Sequence, residues 1–204
     1  MNNFKVKRFQ FGKNWKAFLK NLDNDKIENS KVSLSNFLGL KNLEGKTFID
    51  IGSGSGLSSL SAMNLGANVF SFDYDQHSVE CTRSLKDMFF SNDNKWKIES
   101  GSAIDENYMN NLGMYDIVYS WGVLHHTGNL NKGLELTSNL VKNNGLLLLA
   151  IYNDQGLSSK IWEVVKKVYV KSPYIFKIFI IGLSYIRLWG PTTIKDFIKL
   201  KPFY

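Results

Sequence analysis

The chain has 204 residues, 44% of them hydrophobic and 21% charged, the balance of an ordinary globular protein with one domain plus extensions. Its single cysteine, Cys81, excludes an internal disulfide and a cysteine-rich zinc site and fits a reducing, cytoplasmic location. The formal net charge of +7 belongs to the C-terminal segment, where residues 158–204 set nine Lys and Arg against Glu163 and Asp196. Such asymmetry points to an anionic surface or partner, or to a solvated basic face.

The first stretch, residues 1–20, holds six basic residues and no acid, interleaved with Phe4, Phe9, Phe11, Trp15 and Phe18. It lacks the apolar core of a secretory signal. Such an arm either packs onto its own domain or meets nucleic acid; the packing role is preferred. Val32–Leu38 predicts an amphipathic helix, and Leu43-Glu44-Gly45-Lys46 a turn.

Thr47–Leu60, TFIDIGSGSGLSSL, is the stretch around which the chain is organised. An apolar run containing Asp50 predicts a buried strand. Gly52, Gly54 and Gly56 then alternate with serines and lead into a helix over Leu57–Leu65 that ends at Gly66. Glycines after a strand let the backbone turn tightly and approach a ligand closely. The helix start that follows favours an anionic ligand group. The dinucleotide fingerprint G-x-G-x-x-G/A fails, because its sixth place is Leu57.

Ala67–Asp73 predicts a second strand ending in an acid, 21 residues after Gly52, a spacing suited to accepting hydrogen bonds from ribose hydroxyls. Asp75 is the better cap for a helix over Gln76–Phe89, which leaves Asp73 free. Further strands are expected at Trp96–Ser100, Tyr115–Ser120 and Leu146–Ile151, with a helix over Asn131–Val141 and a turn at Asn143-Asn144-Gly145. Continuous apolar strands alternating with helices imply a parallel sheet covered on both faces. Past Ser158, Ile161–Val170 and Tyr174–Leu188 predict helices broken near Pro173, followed by a short one over Ile194–Leu200. The apolar run Ile178–Ile186 is shorter than the ~20 residues that a bilayer span needs. Packing against the sheet is its first expected role, and peripheral contact of 174–188 with a membrane the second.

Taken together, Asp50-x-Gly52-x-Gly54-x-Gly56, Asp73, Gly101-Ser102-Ala103, Tyr115-Asp116-Ile117-Val118 and Asn143-Asn144-Gly145 resemble the class I methyltransferases that use S-adenosyl-L-methionine (SAM). The similarity covers roughly residues 45–153 and is closest to a bacterial subgroup whose fourth motif reads SWGVLHHT, here Ser120–Thr127. It implies a Rossmann-like, doubly wound α/β sheet of parallel strands in the order 3-2-1-4-5. Residues 1–44 would form an N-terminal arm and helix, 45–157 the SAM-binding core, and 158–204 a basic helical extension. Strands 6 and 7 of that class are expected to be absent, with the apolar tail covering the edge of the fifth strand.

The resemblance implies that Asp50, Gly52, Ser53, Gly54 and Gly56 belong to the cofactor site, with Asp73 and Tyr74 beside the ribose. Ser102 and Ala103 fall at the adenine, and Ser120 and Trp121 at the methionine end. Many relatives have Asp where this chain has Ser102, so backbone or Asp105 is the alternative partner for adenine. His126 and Asp154 are the candidates for managing the acceptor's proton, with His125 weighed lower. Related quinone O-methyltransferases carry the pattern E-x-x-E-H. Here Gly122 and His125 replace its glutamates while His126 is retained, so no metal is expected. Ser120-Trp121-Gly122-Val123 also departs from the Asn/Asp-Pro-Pro-aromatic motif of adenine-N6 and glutamine methyltransferases, and Cys81 is misplaced for a cytosine-C5 nucleophile.

The expected activity is therefore methyl transfer to a small molecule, at oxygen. Methylation of RNA or another large anionic acceptor is one alternative, and SAM binding without catalysis another. The sequence sets no oligomeric state.

Overall fold

In a computed structural model, which describes residues 15, 18–91, 93–153 and 155–198, strand β1 (Thr47–Ile51) is the centre of the sheet. Successive side chains on a strand point to opposite faces. Phe48 therefore joins one apolar layer, with Leu43, Leu60, Trp96, Ile117 and Tyr119, while Ile49 and Ile51 join another, with Phe72, Met109, Val118 and Leu136. Both faces of β1 are closed from water, as a parallel sheet requires.

β2 (Asn68–Asp73) and β4 (Tyr115–Trp121) flank β1, so that Ile49 stands opposite Phe70 on one side and Val118 on the other. β3 (Trp96–Ser100) and β5 (Val141–Ala150) complete a five-stranded sheet of the described residues. Its order is β3-β2-β1-β4-β5, parallel throughout, as expected from the alternation of elements and the resemblance.

The helices of this part are α1 (Asn24–Leu38), α2 (Leu57–Asn64), α3 (Gln76–Phe90), α4 (Glu106–Asn110) and α5 (Leu130–Ser138). Their ends follow local chemistry. Asp23 caps α1 by accepting from the Lys26 N–H at 2.8 Å, and Gly39 closes it in the left-handed conformation. Ile27 and Leu34 carry the inner face of α1 into the same core as Phe48.

Three elements of this part differ from expectation. β5 begins at Val141, paired with Tyr115, so the Asn-Asn-Gly stretch lies within the strand and not before it. The register shifts between Tyr115 and Ile117, and Asn144 takes a φ of 64°. This is a bulge, which places turn-forming residues inside a ladder. The same shift shortens the preceding helix, which ends at Ser138 and not at Val141. One-turn helix α4 is unanticipated; Asp105 starts it by accepting from the Tyr108 N–H at 3.1 Å.

The chain divides into two compact units, Met1–Tyr152 and Asn153–Tyr204. The second contains α6 (Leu157–Lys171) and α7 (Tyr174–Ile198), with the expected break before Tyr174. α7 does not stop near Gly190-Pro191 but continues to Ile198. A proline inside a helix removes one backbone bond. The Thr192 hydroxyl donates to the Trp189 carbonyl at 2.8 Å within that turn. No described residue of α6 or α7 is buried, and Ile161, Trp162, Val165, Val168, Ile180 and Leu183 line a groove of about 510 Å³ between them. No helix among the described residues is long and apolar enough to cross a membrane. On β5, Leu146 and Leu147 are each 40% exposed, so the apolar strand is not fully closed from solvent.

Candidate active site

The glycine loop is fastened to the end of β2. Gly52 and Ser53 both donate their N–H to the Phe72 carbonyl, at 2.8 and 3.1 Å, and Gly54 donates to Asp73 Oδ2 at 2.9 Å. The Gly56 N–H closes a turn on the Ser53 carbonyl at 2.8 Å. All three glycines have positive φ, 78°, 56° and 83° in chain order. Two also lack room for a side chain: a Cβ on Gly52 would stand 2.5 Å from the Val123 methyls, and one on Gly56 2.9 Å from Thr82 Cα.

Asp73 is held from two sides. Its Oδ2 accepts from Gly54, and its Oδ1 accepts from the Asp75 N–H at 2.8 Å. An ionised carboxylate offers about four acceptor positions, so accepting capacity remains on both oxygens. Burial pushes the Asp73 carboxyl above its ordinary range, against the pull of those two N–H groups. Asp75 caps α3 by accepting from the His77 N–H at 2.9 Å. Tyr74 is exposed.

Asp50 lies beneath the loop, not on it. Only 2% exposed, it accepts from the Ser59 hydroxyl at 2.5 Å. Ser59 and Ser71 share a hydrogen bond of 2.7 Å, and Trp96 Nε1 donates to the Ser71 hydroxyl at 2.8 Å. This buried chain joins β1, α2, β2 and β3. Burial, with Asp73's charge as a smaller cause, raises the Asp50 pKa to about 7 against the Ser59 hydrogen bond. The folded state therefore binds more protons than the unfolded one between about pH 4 and pH 7, and stability falls as pH rises through that window. Asp50→Asn is expected to flatten this decline in denaturant-unfolding free energies measured across the same range. An identical slope in the two proteins would exclude Asp50 as its source.

Ser53 and Ser120 are also turned inward: Ser53 shares a 2.9 Å hydrogen bond with the Thr82 hydroxyl, and Ser120 donates to the Ile51 carbonyl at 3.1 Å. Trp121 is 47% exposed; its ring stacks on Tyr119, 6.2 Å and 12° apart, and meets Phe37 at 5.1 Å. After β3, Ala103 is buried and Ser102 half-buried. The Asp105 N–H returns to the Ser102 carbonyl at 3.0 Å, while its carboxylate is engaged in capping α4.

A ring cluster follows β4 and β5. The His125 ring lies 4.0 Å from that of His126 and 4.2 Å from that of Tyr152, and His126 meets Tyr152 edge-on at 5.8 Å. Both ring nitrogens of His125 are shielded from water and have no hydrogen-bond partner among the described residues. Burial lowers the pKa of both histidines, and the His126 charge lowers that of His125 further. The juxtaposition with Tyr152 was not anticipated, because it depends on the neighbouring ends of two strands. Asp154 lies outside the described residues. Among those residues no group of three or more His, Cys, Asp or Glu side chains is arranged to hold a metal ion.

A parallel 3-2-1-4-5 sheet with a glycine loop after β1 and an acid ending β2 is the frame of nucleotide-binding α/β proteins, SAM-dependent methyltransferases among them. The chain matches the methyltransferase domain family over residues 26–170 and belongs to it. It is 28% identical over 164 residues to a ubiquinone biosynthesis O-methyltransferase of Pelagibacter ubique (strain HTCC1062), covering 80% of this chain and 58% of that protein. A ribosomal protein L11 methyltransferase of Helicobacter hepaticus (strain ATCC 51449 / 3B1) is 40% identical over 50 residues, 24% of this chain and 16% of the relative. The chain thus spans less than two thirds of the length of these curated relatives. The magnesium protoporphyrin IX methyltransferase of Synechocystis PCC 6803, solved with bound S-adenosylhomocysteine, shares the fold at a TM-score of 0.55 and 18% identity, over 70% of this chain and 62% of that one.

Proposed function

We propose that this chain transfers a methyl group from SAM to the oxygen of a small organic acceptor. The observation that carries the proposal is the accepting capacity left on both oxygens of Asp73 beside a loop in which every second residue is a glycine of positive φ. Asp73 would hold the two ribose hydroxyls, Gly52–Gly56 would let the cofactor lie against the backbone, and Ser102 and Ala103 would border the adenine. The curated relatives named for ubiquinone O-methylation support a small-molecule acceptor and attack by oxygen. The Ser120–Thr127 motif supports the bacterial subgroup.

When bound, SAM supplies an electrophilic methyl group: the S–CH₃ bond breaks, its electron pair stays on sulfur, and the O–CH₃ bond forms. The residues of the chain align the acceptor and take its proton. His126 is the proposed proton acceptor. It is the exposed one of the two histidines, and its lowered pKa keeps it neutral near pH 7. Asp154 is the second candidate.

The test is transfer of labelled methyl groups from SAM to a panel of phenols and catechols, set against total RNA. Label in the small-molecule ethers is the expected result; label in RNA alone would sink the acceptor class. With an acceptor in hand, turnover should rise with pH through a titration below the ordinary histidine range, and His126→Gln should remove that acid limb. An unchanged profile in the variant would return His126 to a packing role.

A further inference from the structure

The glycine loop has a neighbour that its own motif does not contain. A Cβ on Gly54 would stand 3.1 Å from Trp15 Nε1, 3.2 Å from Cε2 and 3.4 Å from Cζ2. The N–H edge of the indole therefore lies on the side where a side chain at Gly54 would project. Trp15 is half-buried there, and Phe18 meets its ring edge-on at 6.1 Å.

Four of the five N–H groups from Gly52 to Gly56 are engaged. The N–H groups of Gly52 and Ser53 go to Phe72, that of Gly54 to Asp73, and that of Gly56 to Ser53. SAM carries one anionic group, the carboxylate of its amino-acid end. A carboxylate against this loop thus finds few free backbone donors and gains from one outside it, and an indole N–H in a partly buried place needs an acceptor. Each fills the other's need at Gly54.

We propose that Trp15 is a cofactor-binding residue whose indole N–H donates to the carboxylate at the amino-acid end of SAM. The inference rests on the glycine loop being the cofactor site. It extends that site to Trp15, one of the aromatics of a stretch that composition alone presents as a basic arm.

The experiment is calorimetry on the full chain with two ligands. One is S-adenosylhomocysteine, which has the amino-acid end. The other is 5′-methylthioadenosine, which keeps the nucleoside and sulfur but lacks that end. Trp15→Ala should weaken S-adenosylhomocysteine about tenfold or more, as expected for a hydrogen bond to a charged group, and leave methylthioadenosine within about twofold. Trp15→Phe, which keeps a ring and loses the N–H, should show the same selective loss. Equal losses for both ligands, unchanged binding of S-adenosylhomocysteine, tighter binding in Trp15→Ala, or full retention in Trp15→Phe would each overturn the assignment. If the variants match a wild-type chain that binds both ligands, Trp15 alone is excluded and the loop remains the site. If the wild-type chain binds neither ligand, the loop assignment fails and Trp15 falls with it.

Discussion

Replacing Asp73 with alanine is expected to weaken S-adenosylhomocysteine binding by about 2–4 kcal/mol, roughly thirtyfold to a thousandfold. Two hydroxyl-to-carboxylate bonds would be lost at once. The carboxylate also holds the Gly54 N–H at 2.9 Å and the Asp75 N–H at 2.8 Å, so its removal would free the loop it braces. Asp73→Asn separates the two effects. The amide keeps one acceptor oxygen for the backbone but loses the charge, and its NH₂ cannot accept from a hydroxyl. Affinity between that of the parent and that of the alanine variant is the expected order. Calorimetry beside circular dichroism measures it, and unchanged affinity in a folded alanine variant would remove Asp73 from the site.

The second large effect is on stability. Gly56→Ala should cost about 2–5 kcal/mol, combining a left-handed backbone conformation for an L-residue, ~1–2 kcal/mol, with overpacking of ~1–3 kcal/mol. The obstacle to its Cβ is Thr82 Cα at 2.9 Å, part of the backbone of α3, which no rotamer change can move aside. Gly39 supplies the control. Its φ is 67°, yet nothing lies within 4 Å of its Cβ position, so Gly39→Ala should show the conformational cost alone. Urea unfolding of both variants gives the difference. Equal costs would mean that the α3 backbone yields.

The sheet was legible because each strand is a short apolar run bounded by turn residues, and β1 through β4 fall close to where those runs lie. The start of β5 was not. Asn143-Asn144-Gly145 is turn chemistry, and only its pairing with β4 turns it into a bulge, a fact held in the partner strand. The passage of α7 through Pro191 was hidden likewise, since a single proline argues for a stop. At the site, Asp75 as the helix cap could be read from position alone. The inward turn of Asp50 could not, because it depends on serines on α2 and β2 that carry no motif of their own. Trp15 stood among several aromatics of one arm, and nothing in their spacing singles out the one beside Gly54.

Val123 occupies the space that a side chain at Gly52 would need, with its methyls 2.5 Å from that Cβ position. It also precedes the short helical turn Leu124–His126 and its two histidines. Positions 52 and 123 are thus a lock and its key. Enlarging either one jams the other, however conservative the exchange looks on its own strand. An engineer who reshapes the histidine turn therefore works against the loop after β1 as well. The productive library varies 123 only toward smaller residues, or changes both places together.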